Sequence, residues 1–176
     1  MKSSHLYLLL LLFCTCSFFG IANELSYENT RQEQQLLISV EGAYIRSSIP
    51  GTTISSSYMV IENKGEKTVT LLGANSKISP RIEIHQHSMS DGMMRMRQLE
   101  SIDIKAKQRI ILQPSGLHLM LFDVKNPLKA QQKVELTLNF SNETSVTIQV
   151  PVYSPLQEKR AQKADAHVAI QHMHHH

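Results

Sequence analysis

The chain has 176 residues, with 18 basic against 15 acidic side chains and a formal net charge of +3. That near-balance, without a basic stripe interleaved with aromatics, excludes the electrostatic footprint of a nucleic-acid binder. Both cysteines, Cys14 and Cys16, fall within the first 22 residues, so disulfides cannot hold the remainder together and an apolar core must.

The opening stretch, residues 1–22, reads as a secretory signal. Lys2 supplies the positive start, Leu6 to Phe19 the apolar run, and Gly20 and Ala22 the small-x-small cleavage pattern that leaves Asn23 first. The run is shorter than a bilayer span requires, which argues against a retained anchor. Phe13 and Thr15 precede the two cysteines, where a lipoprotein signal wants a small residue, which argues against lipidation. Residues 23–35 are polar and aperiodic, a loose lead-in.

Residues 36–153 are built from short segments of period two separated by turn residues, the pattern of an all-β sandwich or barrel. The cleanest pair lies near the end. Val134, Leu136, Leu138 and Phe140 alternate with polar residues, and after a Ser141-Asn142-Glu143 turn so do Val146, Ile148 and Val150. Earlier strands are expected over Leu36 to Ile45, Ser57 to Glu62, Lys67 to Ala74 and Arg81 to His87, then over Met93 to Gln98, Gln108 to Leu112 and Leu117 to Asp123. The expectation is a Greek-key β-sandwich of about seven to nine strands with no helix inside it. Residues 154–176 form a tail: Gln157 to Ala166 suits a helical stub, and the last ten residues contain His167, His172, Met173, His174, His175 and His176.

Chemistry concentrates in the middle of the chain. Ten residues separate His85 from Met96, twenty-one separate Met96 from His118, and one separates His118 from Met120. Imidazole and thioether are the borderline and soft donors that select monovalent copper over calcium, magnesium or manganese. A buried methionine is ordinarily a core filler, but five of the eight methionines fall between Met89 and Met120, beside His85, His87 and His118. His118 and Met120 lie two apart on an expected strand and so share a face. A hairpin centred on Ser90-Asp91 would set His85 across from Met96 and His87 across from Met94. That register also puts Arg95 and Arg97 on the face of Ile82 and Ile84, so either the hairpin bulges or its far end projects with both faces wet.

The His85, Met96, His118-x-Met120 pattern resembles the signature of the periplasmic copper(I) chaperones called PCu(A)C. The surrounding runs are similar too: DGMMRMR at Asp91 to Arg97, PSGLHLML at Pro114 to Leu121, and Asn126-Pro127-Leu128. One position departs, with Gln86 standing where some members have methionine. The resemblance implies a cupredoxin-like β-sandwich holding one Cu(I) at His85, Met96, His118 and Met120. It implies a periplasmic location and delivery to a copper acceptor, typically the dinuclear centre of cytochrome c oxidase subunit II, sometimes together with a Sco-type protein. It also implies that the histidine- and methionine-rich tail offers a second site able to hold Cu(II).

Competing readings are weaker. No Cys-His pair, nucleophile elbow, phosphate-binding glycine loop or isolated carboxylate pair points to an enzyme. A blue-copper electron carrier needs a cysteine thiolate, which signal cleavage removes. A metal-free interaction module using Met89, Met93 and Met94 as an apolar edge, and a general copper buffer, are the alternatives to a chaperone. Because an imidazole must be neutral to ligate, copper binding should weaken below roughly pH 6.

Overall fold

The structure is a computed structural model that describes residues 37–163 apart from 91 and 142. The expected signal, the lead-in and the histidine-rich end from 164 onward lie outside the described residues. Ten strands follow one another: β1 (Ile38–Arg46), β2 (Ser55–Asn63), β3 (Val69–Asn75), β4 (Arg81–Ser90), β5 (Met93–Leu99), β6 (Ile102–Ile104), β7 (Arg109–Leu112), β8 (Leu117–Phe122), β9 (Lys133–Phe140) and β10 (Ser145–Tyr153). They pair in the order β5-β4-β8-β7-β2-β1-β10-β9-β3-β6, with a further β8–β2 contact. The β5-to-β1 and β10-to-β6 halves contribute to one core, making the all-β, cupredoxin-like Greek-key sandwich that was expected.

Strict alternation supplies that core. Val134, Leu136, Leu138 and Phe140 of β9 are all buried, as are Met59 and Ile61 of β2, Ile84 of β4, and Leu119 and Leu121 of β8. Each fully buried aliphatic side chain of this size contributes about 1.5–3 kcal/mol. The strand count exceeds the expected range because β6 is only three residues long, too short to display a period. It is held on β3 by the Val69↔Ile104, Thr70↔Asp103 and Leu71↔Ile102 pairs.

The untidy pattern of β1 has a physical cause. Its register against β2 shifts between Glu41 and Tyr44, where Gly42 adopts φ +60°. A bulge inserts one residue and exchanges the two faces. Ile38 and Val40 pack on the core before it, whereas Ile45 does so after it. Tyr44 is thereby turned to the outer face, where its ring stacks on Tyr153 at 4.9 Å and lies 5.1 Å from Tyr58.

A helix, α1 (155–163), follows β10, beginning two residues before the expected stub. Ser154 caps it: the Gln157 N–H donates to Ser154 Oγ at 3.3 Å, and the Ser154 N–H donates to Gln157 Oε1 at 2.9 Å. Pro155 suits the first helical position, where no amide donor is needed. Glu158 fastens α1 to the outer face of β1, accepting from Arg46 Nε at 3.0 Å and from the Tyr44 hydroxyl at 3.5 Å.

Leu138 is fully buried at the centre of β9. Leu138→Ala should cost about 2–5 kcal/mol, read in urea titration as a lower midpoint with an unchanged slope.

Candidate metal centre

Strand β4 lies between β5 and β8, and both pairings run without a register break, from Arg81↔Phe122 to Gln86↔Leu117 on one side and from Ile84↔Leu99 to Ser90↔Met93 on the other. Side chains alternate across a strand. Ile84, Leu119 and Leu121 are buried in the core, which forces Glu83, His85, His87 and Met89 onto the outer face of β4. The same pairing carries Met94, Met96 and Gln98 of β5, and His118, Met120 and Phe122 of β8, onto that face. All four candidate donors therefore occupy one side of three adjacent strands.

Their pairing differs from the expectation. The hairpin is centred on Asp91-Gly92, not Ser90-Asp91, so Met96 opposes His87, Met94 opposes Met89, and His85 opposes Gln98. Gly92 takes φ +74°, a left-handed conformation that glycine adopts without steric cost, and it fixes the turn there. Moving the centre by one residue shifts each partner by two positions, so every side chain keeps its face; only an odd slip would reverse it. Met96 is consequently diagonal to His85, at a typical Cβ separation of about 7–8 Å. On the other flank His85 directly opposes His118 and is diagonal to Met120, which faces Glu83 and Ser56. His85 is the common neighbour of the other three. The pairing with β4 is unbroken and Met93 to Gln98 are exposed, so of the two ways to place Arg95 and Arg97, the hairpin end projects with both faces wet.

The ring nitrogens show which atoms are free. A carboxylate can only accept, so His85 Nε2–H donates to Glu83 Oε2 at 2.8 Å, leaving Nδ1 with a lone pair. Arg81 holds the other Glu83 oxygen at 2.6 Å and is itself seated on the Phe122 ring at 3.9 Å. His118 Nδ1–H donates to the Gly116 carbonyl at 3.1 Å, leaving Nε2 as its acceptor atom. The Nδ1 atoms of His85 and His87 are buried and have no hydrogen-bond partner in the protein. A buried polar atom without a partner is costly, and a metal ion would relieve it. The His85 and His118 ring centres lie 6.0 Å apart, and those of His87 and His118 lie 5.0 Å apart. Two imidazoles that share an ion at about 2 Å from each nitrogen have ring centres roughly 5 Å apart, a spacing that the His87–His118 pair meets and the His85–His118 pair exceeds.

Electrostatics favour neutral imidazole. Burial pushes the His118 pKa below its ordinary 6.5, and the nearby His87 and His85 push it the same way, against the Gly116 hydrogen bond. The hydrogen bonds from His85 and then Arg81 hold the Glu83 carboxyl below its usual range. Among the described residues no three of His, Cys, Asp and Glu form a metal-binding group. The further soft donors on this face are the thioethers of Met89, Met94, Met96 and Met120. Met120 is half-buried and Met96 is 47% exposed. The tail candidates His167, His172, Met173, His174, His175 and His176 lie outside the described residues.

Sequence reasoning missed Glu83 and Arg81, which orient His85, and left His87 unused. The spacing Glu83-x-His85-x-His87 is itself a period-two signal that sets all three side chains on one face.

The family described as "Putative lipoprotein LpqE-like" matches residues 38–152, β1 through nearly all of β10. The chain belongs to this family. A curated relative, "Putative lipoprotein Lxx21020" of Leifsonia xyli subsp. xyli (strain CTCB07), is 29% identical over 116 residues, covering 65% of this chain and 69% of that protein. Solved structures of the same fold include the copper-bound PCuAC domain from PmoF2, with TM-score 0.58 and 24% identity over 68% of this chain and 94% of that one. The solution structure of CuI-DR1885 from Deinococcus radiodurans is similar, with TM-score 0.56 and 26% identity over 66% of this chain and 78% of that one. The LpqE-like chain thus has the fold of PCuAC domains. Among its described residues, no helix is long and apolar enough to cross a membrane.

The lowered His118 pKa has a stability consequence. The unfolded chain takes up this proton first, so the metal-free protein should lose stability as pH falls through 6.5 toward the folded-state value and keep the full contribution above it. NMR titration of the metal-free protein should give a His118 midpoint below 6.5; a midpoint above it would contradict the burial argument.

Proposed function

We propose that the chain is an exported copper(I) chaperone, without enzymatic activity, that binds one Cu(I) through His85, Met96, His118 and Met120. The observation that carries the reading is the His85 Nδ1 lone pair, buried and unpartnered while Glu83 fixes the ring from its other side. A carboxylate behind a ligating imidazole sets its tautomer and strengthens it as a donor. His118 directly opposes His85 with its Nδ1 engaged by Gly116, and Met96 and Met120 occupy the positions diagonal to His85 on the two flanking strands. The copper-bound and Cu(I) descriptions of two structures of the same fold support the choice of metal.

Two thioethers and two neutral imidazoles suit cargo that must be released. A thiolate is a stronger donor for Cu(I) than a thioether, so an acceptor bearing cysteine ligands can extract the ion by exchange. The acceptor we assign is such a centre, of the kind in cytochrome c oxidase subunit II, reached directly or together with a Sco-type protein. The signal-like residues 1–22 and the description of the family as lipoproteins support export, and we place the chain in the periplasm. The histidine-rich tail is assigned the gathering of Cu(II), which imidazoles bind well. It follows α1 in the chain, and α1 is fastened to the outer face.

Anaerobic titration against a chromophoric Cu(I) chelator tests the assignment. Met96→Leu combined with Met120→Leu should abolish tight uptake at the core, with unfolding little changed because Met96 is exposed and Met120 only half-buried. Uptake equal to that of the parent would refute the four-donor site. Glu83→Gln should keep the site but weaken Cu(I) binding by about 10–100-fold, the usual effect of losing the carboxylate behind a ligating histidine. Affinity should also decline as pH falls and the imidazoles protonate. Equal Cu(I) affinity at about pH 7 and about pH 5 would rule out imidazole ligation.

A further inference from the structure

Three donor-bearing side chains of the outer face remain once the four proposed ligands are set aside: His87, Met89 and Met94. Met89 and Met94 directly oppose each other near the tip of the β4–β5 hairpin, and they are 69% and 61% exposed. Two large apolar side chains thus stand on a solvated tip. His87 lies one rung inward, diagonal to Met94 and two residues from Met89 on the same strand. Its Nδ1 is buried without a hydrogen-bond partner, an independent sign of a missing ligand. Opposed and diagonal neighbours on one face are separated by about 5 Å and 7–8 Å at Cβ, distances that long, flexible methionine side chains span. Arg95 and Arg97 belong to the other face of β5, with Met93, so no cation of β5 shares the face of these three donors, and Arg81 at the far end of β4 is engaged by Glu83.

We propose that His87, Met89 and Met94 form a second, outer station for a soft monovalent ion, one rung beyond the inner site. One imidazole and two thioethers favour Cu(I) over hard divalent cations. The identity of the metal rests on the reading above, whereas the existence of the station rests on these three residues alone. An ion held there is adjacent to Met96, which opposes His87. Copper can therefore enter or leave by exchanging one donor at a time, without first becoming free in solution.

The test uses the chain from Asn23 onward, without Cys14 and Cys16, with His167, His172, Met173, His174, His175 and His176 all changed to alanine, so that neither thiols nor the tail contribute. It is titrated anaerobically with Cu(I), and in parallel with diamagnetic Ag(I) followed through the methionine methyl NMR signals. Two equivalents should bind, with the Met89 and Met94 methyls moving chiefly with the second. His87→Ala combined with Met89→Leu and Met94→Leu should remove the second equivalent and leave the first. A single equivalent in the parent, or a second one that survives the triple substitution, overturns the outer station. The Met96→Leu, Met120→Leu variant in the same background reports on the inner site alone, so failure of one reading is distinguishable from failure of the other.

Discussion

The site depends on one constraint: β4 and β8 have inner faces pinned by burial, and β5 follows β4 in unbroken register. Ile84, Leu119 and Leu121 are held in the core, and exchanging the faces of β4 or β8 would place Glu83, His85 and His118 in that apolar core while removing those aliphatic groups from it. Each aliphatic side chain contributes about 1.5–3 kcal/mol by burial, and an unpaired buried charge costs more. The outer arrangement of histidine and methionine is thus a by-product of ordinary hydrophobic alternation. No helix, cysteine or disulfide is needed to assemble it. The bulge at Gly42 belongs to the same logic, because it turns Tyr44 outward while keeping Ile45 in the core. The outward Tyr44 is then one of the groups that hold Glu158 of α1.

Convergence on one face is only the first requirement of a metal site; the second is the right lone pair. Imidazole offers two nitrogens, and which one is free depends on what the other bonds. Here Glu83 engages Nε2 of His85 and the Gly116 carbonyl engages Nδ1 of His118. The two rings therefore expose different atoms, Nδ1 from one and Nε2 from the other. Glu83 can act this way because Arg81, stacked on Phe122, fixes its other oxygen. The chain of contacts Phe122–Arg81–Glu83–His85 runs across the β4–β8 pair from one end to the proposed site. In the proposed site this rigidity would make His85, a side chain with few rotatable bonds, the fixed point around which the flexible methionines adjust.

Much of this was legible in the sequence, because alternation is a local property. Val134 to Phe140 and Val146 to Val150 announce their strands from composition alone, and the face shared by His118 and Met120 follows from a spacing of two. What eluded it depends on quantities that a pattern does not encode. The hairpin centre turned on the backbone conformation of Gly92, and a turn at Ser90-Asp91 fits the same hydrophobic pattern. The misplaced centre did little harm, since a shift of two partner positions preserves the faces. β6 was missed because three residues show no period, and the β1 bulge because one inserted residue mimics noise in an alternating pattern. The orienting role of Glu83 was also hidden, since it arises only when Arg81 and His85 flank it on the same face of one strand.

Exposure along the outer face then gives the proposed chemistry a direction. His118 is 3% exposed, Met96 47%, Met94 61% and Met89 69%. Donors at the hairpin tip meet water and partner proteins, while those over the core lie where desolvation strengthens electrostatic interactions and favours neutral imidazole. A soft monovalent ion loses little on leaving water for thioether, and gains more as it reaches nitrogens that lack any other partner. A thiolate-bearing acceptor reverses that preference only by contacting the exposed end, because β8 and the core beneath it close the other. In the proposed chemistry the same geometry would make the inner set retentive and direct exchange to the β4–β5 hairpin, where Met93 to Gln98 are exposed.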